Sequence, residues 1–290
     1  MSSDNIKKIE FTLAGSAGRL MTADICFVED KQAKPVVVFA HGFKGFKDWG
    51  HFNLVAGNFA AAGFVFLKFN FSHNGTTPQQ PTEFADLEAF GHNNFSKELN
   101  DLGYVLDSIT TANLPIETCE FDPQRIYLIG HSRGGGIVLL KAREDARVKK
   151  IATWASVSEF GKHWSGDVMD RWQRSGVLYI ANARTGVQMP LYWQAYQNYF
   201  DNKTRLFIPD AAQALQDRPM LIIHGTADEA VSYEAALDLK ECNPNAVLLR
   251  LDNANHVFGA AHPWPHAELP PDSQKLVAAT IRFFKNMPVD

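Results

Sequence analysis

Residues 125–140 read Arg125-Ile126-Tyr127-Leu128-Ile129-Gly130-His131-Ser132-Arg133-Gly134-Gly135-Gly136-Ile137-Val138-Leu139-Leu140. An apolar run of strand length is followed by Gly-x-Ser-x-Gly and then by a second apolar run. That order predicts a strand, a sharp turn and a helix. In such an elbow the serine takes a strained backbone conformation that lifts its hydroxyl clear of the sheet. Glycine two positions before and two after Ser132 removes side chains that would clash across the turn. The helix that follows directs its partial positive end at the same point. A glycine-rich loop that merely turns the chain is the plain alternative, but the strand before it and the apolar helix after it favour the elbow.

Working outward, the strand signal recurs. Pro35-Val36-Val37-Val38-Phe39-Ala40 is short, β-branched and apolar on both faces, as a strand buried on both sides of a sheet reads. Residues 64–69, 151–156, 220–223 and 246–251 repeat it. Residues 7–13 and 20–28 flank Ala14-Gly15-Ser16-Ala17-Gly18 and predict a hairpin with a small-residue turn. Apolar spacing over 51–62, 95–110, 230–241 and 273–286, and after Ser132, predicts helices between the strands. Strands alternating with helices imply an α/β fold with a mostly parallel sheet covered on both faces. Ligand sites in such sheets lie at the carboxyl ends of the strands.

The 290 residues carry 28 Lys and Arg against 32 Asp and Glu, a net charge of −4, with 46 % hydrophobic and 21 % charged residues. This composition excludes disorder, collagen and coiled coil for the chain as a whole. It offers no basic footprint for nucleic acid or anionic lipid. No apolar run approaches a membrane span. The first ten residues have no apolar signal core, so a cytoplasmic protein with a single domain over 1–290 is expected. Cys26, Cys119 and Cys242 are odd in number and widely spaced, which predicts reduced, mostly buried thiols and no zinc site.

A serine hydroxyl is a weak nucleophile and needs a base and a group that orients the base. In this kind of elbow the chain order is serine, acid, histidine. After the strand at 220–223 comes His224-Gly225-Thr226-Ala227-Asp228-Glu229, which offers Asp228 as the acid. After the strand at 246–251 comes Asp252-Asn253-Ala254-Asn255-His256, which offers His256 as the base. Glu159 is the rival acid, because it follows the strand ending at 156. His262 and His266 lie in a proline-rich stretch that reads as a loop, and Glu229 reads as a solvated neighbour. The oxyanion of acyl transfer needs donors aimed in advance. The backbone N–H of Arg133 and that of Phe43, in His41-Gly42-Phe43 after the strand at 35–40, are the expected pair. His41 is then an orienting or packing residue.

Together, His41-Gly42-Phe43, Gly130-His131-Ser132-Arg133-Gly134, Gly225-Thr226-Ala227-Asp228 and Asn255-His256 resemble the α/β-hydrolase superfamily over essentially the whole chain. The set looks most like the dienelactone-hydrolase-like and acylaminoacyl-peptidase-like branches. That resemblance implies an eight-stranded, mostly parallel sheet flanked by helices, with its second strand antiparallel. A dienelactone hydrolase proper carries a cysteine where this chain has Ser132. An acylaminoacyl peptidase carries a large N-terminal propeller, whereas about 30 residues precede the first central strand here.

Residues 159–200 interrupt the alternation and hold nine of the chain's aromatic residues. A cap insertion over 159–215 is expected. Its aromatics either pack it onto the core or also wall a substrate cleft, with Trp164 and Trp193 as the substrate-binding candidates. Arg184, in a turn of that insertion, reads as a surface ion pair or as a partner for a substrate carboxylate or phosphate. The expected chemistry is hydrolysis of small-molecule carboxylic esters, with no cofactor, metal, nucleic acid or membrane. Amide, peptide or thioester hydrolysis by the same apparatus is the alternative, and a non-catalytic binding protein on this fold is the third reading.

Overall fold

The structure is a computed structural model that describes residues 5–289 except 163, 165 and 183. In chain order its strands are β1 (Ile6–Ala14), β2 (Leu20–Val28), β3 (Lys34–Ala40), β4 (Val65–Phe69), β5 (Phe121–His131), β6 (Val148–Trp154), β7 (Val177–Ala181), β8 (Gln188–Tyr192), β9 (Met220–Gly225) and β10 (Val247–Leu251). Its α-helices are α1 (Phe52–Ala61), α2 (Leu87–Gly91), α3 (Phe95–Thr110), α4 (Arg133–Glu144), α5 (Gly166–Ser175), α6 (Gln194–Asp201), α7 (Ile208–Ala214), α8 (Glu234–Cys242) and α9 (Pro271–Phe284). Eight strands form one sheet in the order β1-β2-β4-β3-β5-β6-β9-β10. β2 runs antiparallel to both neighbours, and the strands from β4 to β10 are parallel.

Strand periodicity divides the core into two layers. Val36, Val38 and Ala40 of β3 pack with α3 and α4 residues such as Leu99, Leu102 and Ile137. Val37 and Phe39 turn to the opposite face and meet Val55, Phe59 and Val277 of α1 and α9. β5 and β9 do the same, with Ile126, Leu128, Met220 and Ile222 on the first face and Ile129, Leu221 and Ile223 on the second. Each fully buried apolar side chain of this kind stabilises the fold by roughly 1.5–3 kcal/mol. Strands apolar on both faces therefore have one arrangement that covers them, the centre of a helix-sandwiched sheet.

The chain leaves β3 for β4 on one side and returns to β5 on the other, and the order reverses between them. A crevice opens outside the carboxyl ends of strands at such a reversal. The loop after β3 and the elbow after β5 meet there.

Four details differ from the sequence reading. β10 is the edge strand, so Val247 and Arg250 are exposed and only its last residue is buried. α8 starts at Glu234 rather than 230, because the Ala230 and Val231 N–H groups donate to Asp228 Oδ1 and hold that segment as a loop. The short helix α2 had no periodic signal of its own; Asp86 caps it by accepting from the Ala89 N–H. Of the cysteines only Cys26 is buried, while Cys119 is exposed on a turn and Cys242 is intermediate.

Between β6 and β9 the antiparallel pair β7–β8 forms a small separate sheet. Trp172 of α5, Leu191 and Ala195 make a satellite core there, and Trp172 Nε1 donates to Leu191 O at 2.8 Å. α7 instead lies against α4 and α8 in the main helix layer. The 159–215 span thus divides into a satellite unit and a helix that belongs to the body of the fold.

Candidate active site

Ser132 sits at φ 57° and ψ −122°, between the end of β5 and the start of α4. Its N–H donates to Trp154 O at 2.9 Å, and its own carbonyl accepts from the Gly135 N–H at 3.0 Å, so the strained turn is held from both sides. A Cβ on Gly130 would lie 2.2 Å from Gly134 O, and one on Gly134 would lie 2.3 Å from Ala40 O. Real Cβ atoms never come so close to backbone oxygen, which is why both positions carry glycine.

The loop after β3 touches this elbow: a Cβ on Gly42 would come within 2.9 Å of the Ser132 Cβ. His41 is buried, and its Nδ1–H donates to Gly42 O at 2.8 Å, while the Gly45 N–H donates to the same oxygen at 3.1 Å. In a trans peptide the carbonyl and the next N–H point in opposite directions. Anchoring Gly42 O therefore aims the Phe43 N–H away from it. Among the described residues, neither the Phe43 nor the Arg133 N–H donates within the protein; the latter is one of the unpaired donors at the start of a helix. Burial pushes the His41 ring down to about 4, so it stays neutral and keeps one donor and one acceptor.

Asp228 and His256 meet across two loops. His256 Nδ1 lies 2.8 Å from Asp228 Oδ2, and because a carboxylate only accepts, Nδ1 carries the proton and Nε2 is left bare. Asp228 Oδ1 accepts from the Ala230 and Val231 N–H groups at 2.9 and 2.8 Å. Burial opposes the carboxylate charge, but the hydrogen bonds from His224, His256 and Val231 outweigh it and hold the carboxyl well below its ordinary range.

Two further histidines escaped the sequence reading as contributors. The fully buried His224 donates Nε2–H to Val231 O at 2.9 Å and lies 3.2 Å from Asp228 Oδ2, pinning the Asp228 loop. His131 donates Nε2–H to the backbone oxygen of His256 at 2.9 Å and holds the His256 loop. His131 is pushed down to about 3, chiefly by burial and then by the nearby His256. The available signal was the repeated His-Gly, after β3 and at the end of β9, together with a histidine next to the elbow serine. Nothing in the sequence said which loop each one would reach.

The rivals fall elsewhere. No described hydrogen bond or ion pair joins Glu159 to His256, whose Nδ1 partner is Asp228. His262 Nδ1 accepts from the Gly50 N–H at 2.8 Å, His266 stacks edge-on against Trp264, and Glu229 is exposed.

Ser132 lies between two cavities. One, of about 290 Å³, is lined by Phe43, Arg133, Glu159, Phe160, Trp164 and Val231 among others. The other, of about 250 Å³, is lined by Phe43, Lys44, Trp49, Phe52, Arg184 and His256 among others. Trp164 is thus on a cavity wall. Trp193 lines neither cavity: it stacks on Tyr196 at 4.6 Å and against Trp172 at 5.5 Å inside the satellite unit. The Arg133 guanidinium lies 3.8 Å from the Phe43 ring centre and 3.4 Å from Glu98 Oε1, a pairing that only the folded chain reveals.

An elbow serine, a carboxylate-oriented histidine and two free N–H groups at the switch point of a parallel sheet define a hydrolase of the α/β class. The profile described as the alpha/beta hydrolase family matches residues 37–273, and the chain belongs to that family. It is similar to Est1E from Butyrivibrio proteoclasticus with ferulic acid bound (19 % identity, 95 % of this chain and 98 % of that one, TM-score 0.66). It is also similar to the esterase domain of a Rhodothermus marinus protein (20 % identity, 88 % and 90 % coverage, TM-score 0.58) and to a Pyrococcus furiosus esterase (16 % identity, 97 % and 93 % coverage, TM-score 0.61). At these identities the likeness is one of fold. No curated protein matches the chain in sequence. Among the described residues no helix is long and apolar enough to cross a membrane.

Proposed function

We propose that the chain hydrolyses carboxylic esters of small molecules, with Ser132 as nucleophile, His256 as base and Asp228 as the group that orients it. The observation that carries this reading is the Asp228–His256 hydrogen bond of 2.8 Å, with His256 facing the cavity that Ser132 also lines. Ser132 Oγ attacks the ester carbonyl carbon while its proton passes to His256 Nε2. The carbonyl oxygen, now negative, is received by the Phe43 and Arg133 N–H groups. His256 then gives the proton to the leaving alcohol oxygen, and the C–O bond breaks to leave an acyl-serine. Water attacks that ester in turn, losing its proton to His256, and the acid departs as Oγ is reprotonated.

The alcohol leaves from the side of the group that protonates it, so the cavity bearing His256 takes the leaving group. The cavity bearing Arg133, Phe160 and Trp164 takes the acyl group, and the segment after β6 acts as a cap over it. Its aromatic walls suit short or aromatic acyl groups. A fluorophosphonate probe should label the wild-type protein at Ser132. Ser132→Ala should lose labelling and lower p-nitrophenyl acetate hydrolysis by on the order of 10⁴ with the circular-dichroism spectrum unchanged. Labelling at another residue, or retained activity, would overturn the reading.

A further inference from the structure

The two cavities differ in charge. In the cavity assigned to the acyl group every cation has an acid: Arg133 lies 3.4 Å from Glu98, Lys162 lies 3.4 Å from Asp238, and Glu159 lines the wall. The cavity on the His256 side has Lys44 and Arg184 at its edge and, among the described residues lining it, no Asp or Glu.

Neither cation is neutralised. Lys44 Nζ donates to Ala181 O at 3.1 Å, a neutral carbonyl on the β7–β8 hairpin, which leaves ammonium hydrogens without a described partner. Lys44 is half-buried, and burial lowers its ammonium from the usual range. The Arg184 side chain has no described hydrogen bond or ion pair. Its backbone N–H donates to Asn182 Oδ1 at 3.1 Å, which fixes the turn that presents it. Trp49, Phe52 and Phe43 supply aromatic rings to the lining, with Trp49 and Phe52 tilted at 47° to each other.

Two unpaired cations lining a cavity that also holds aromatic rings suit a ring that carries an anionic oxygen group. Resting on the ester-hydrolase reading above, we infer that the preferred leaving group is an aryl or similarly compact alcohol bearing a carboxylate, held by Lys44 and Arg184 while His256 protonates its hydroxyl oxygen. The reaction is otherwise the one already written. The ester C–O bond breaks, one water is consumed, and the products are a free acid and a hydroxy-carboxylate.

The test compares phenyl acetate with 4-acetoxybenzoate, which share an acetyl group and differ in the leaving-group charge. The kcat/KM ratio of charged to neutral ester is measured for the wild-type protein and for Lys44→Gln, Arg184→Gln and the double variant. Using the ratio against wild type cancels the intrinsic reactivities of the two esters and any general effect of a substitution. The ratio should fall about tenfold in Lys44→Gln, about threefold in the more exposed Arg184→Gln, and further in the double variant. It should also fall in the wild type as salt is raised. A second readout needs no turnover: Ser132→Ala should bind 4-hydroxybenzoate more tightly than phenol by calorimetry, and the two cation substitutions should remove that preference. Hydrolysis of both esters with an unmoved ratio and no binding preference overturns the inference and leaves the esterase reading standing. A binding preference with no hydrolysis of either ester upholds the anion site and overturns the esterase reading.

Discussion

The acid is the residue on which sequence and geometry can be separated by experiment. Asp228 and Glu159 both follow strands of the sheet, and only Asp228 reaches His256. Asp228→Asn should lower kcat by on the order of 10³–10⁴, because the amide lets His256 settle in the wrong tautomer. Glu159→Gln should cost less than about tenfold, and parallel kinetics on the two variants check the order. His224 acts one step further back. It touches neither the cavities nor His256, yet its Nε2–H holds both Val231 O and the Asp228 carboxylate. His224→Leu should lower kcat by about 10–100-fold with KM little changed, a loss of the size seen when a group behind the primary ligands is removed. A KM effect with kcat intact would assign His224 to substrate binding instead.

Among the elements, the segment between β6 and β9 carries two kinds of aromatic residue that look alike in sequence. Phe160 stacks on Phe95 of α3 at 3.9 Å and joins the main core, and Trp164 adjoins it on the wall of the cavity proposed for the acyl group. Trp172, Trp193 and Tyr196 pack on one another within the satellite unit. Acyl-length profiles with p-nitrophenyl esters should therefore peak at short chains, about C2 to C6, since each methylene gains roughly 0.8 kcal/mol only while it fits. Trp164→Ala should move that optimum to longer chains. Trp193→Ala should leave it in place and instead lower the thermal stability of the satellite unit. A shift caused by Trp193→Ala alone would reverse the assignment.

For the molecule as a whole, the notable stability feature is charge buried beside the sheet. Asp24, Lys47 and Lys68 are almost wholly inaccessible, and Asp24 Oδ2 accepts from both lysines at 2.7 Å. Asp48 pairs with the same two lysines, and they hold its carboxyl well below the usual range against the opposing effect of burial. Asp24→Asn should cost about 3–5 kcal/mol in denaturant unfolding, because it leaves two buried lysines sharing the single Asp48 carboxylate. Combining it with Lys68→Met should recover much of that loss. Buried histidines set a second global property. His41, His51 and His73 are each pushed down to about 4 chiefly by burial, whereas an unfolded histidine titrates near about 6.5. Between those values the unfolded chain binds protons that the folded chain refuses, so stability falls as pH drops from about 7 to about 5. Each residue contributes on the order of 1–2 kcal/mol to that loss. Denaturant midpoints across this range check it, and His51→Gln should flatten the slope.

How much of this was legible beforehand follows the range of the forces involved. Strands apolar on both faces declare a buried parallel sheet, because period-two burial is written locally in Val36 to Ala40 and in Ile126 to Ile129. The elbow is legible for the same reason, since its glycines answer clashes within five residues of Ser132. Chain order then offered Asp228 and His256 at two strand ends, and the fold brings them to 2.8 Å of each other. Side-chain partners between distant loops were not legible. That His224 rather than His131 braces Asp228, that Arg133 pairs with Glu98, and that Trp193 packs on Trp172 depend on contacts the local sequence does not declare. The division of charge between the two cavities is of this kind too. It took the folded sheet edge to bring Lys44 beside the β7–β8 hairpin, with no acid on the wall between Lys44 and Arg184. Local sterics and burial period are properties of a stretch of sequence, whereas pairing across loops is decided only when tertiary packing removes the alternatives.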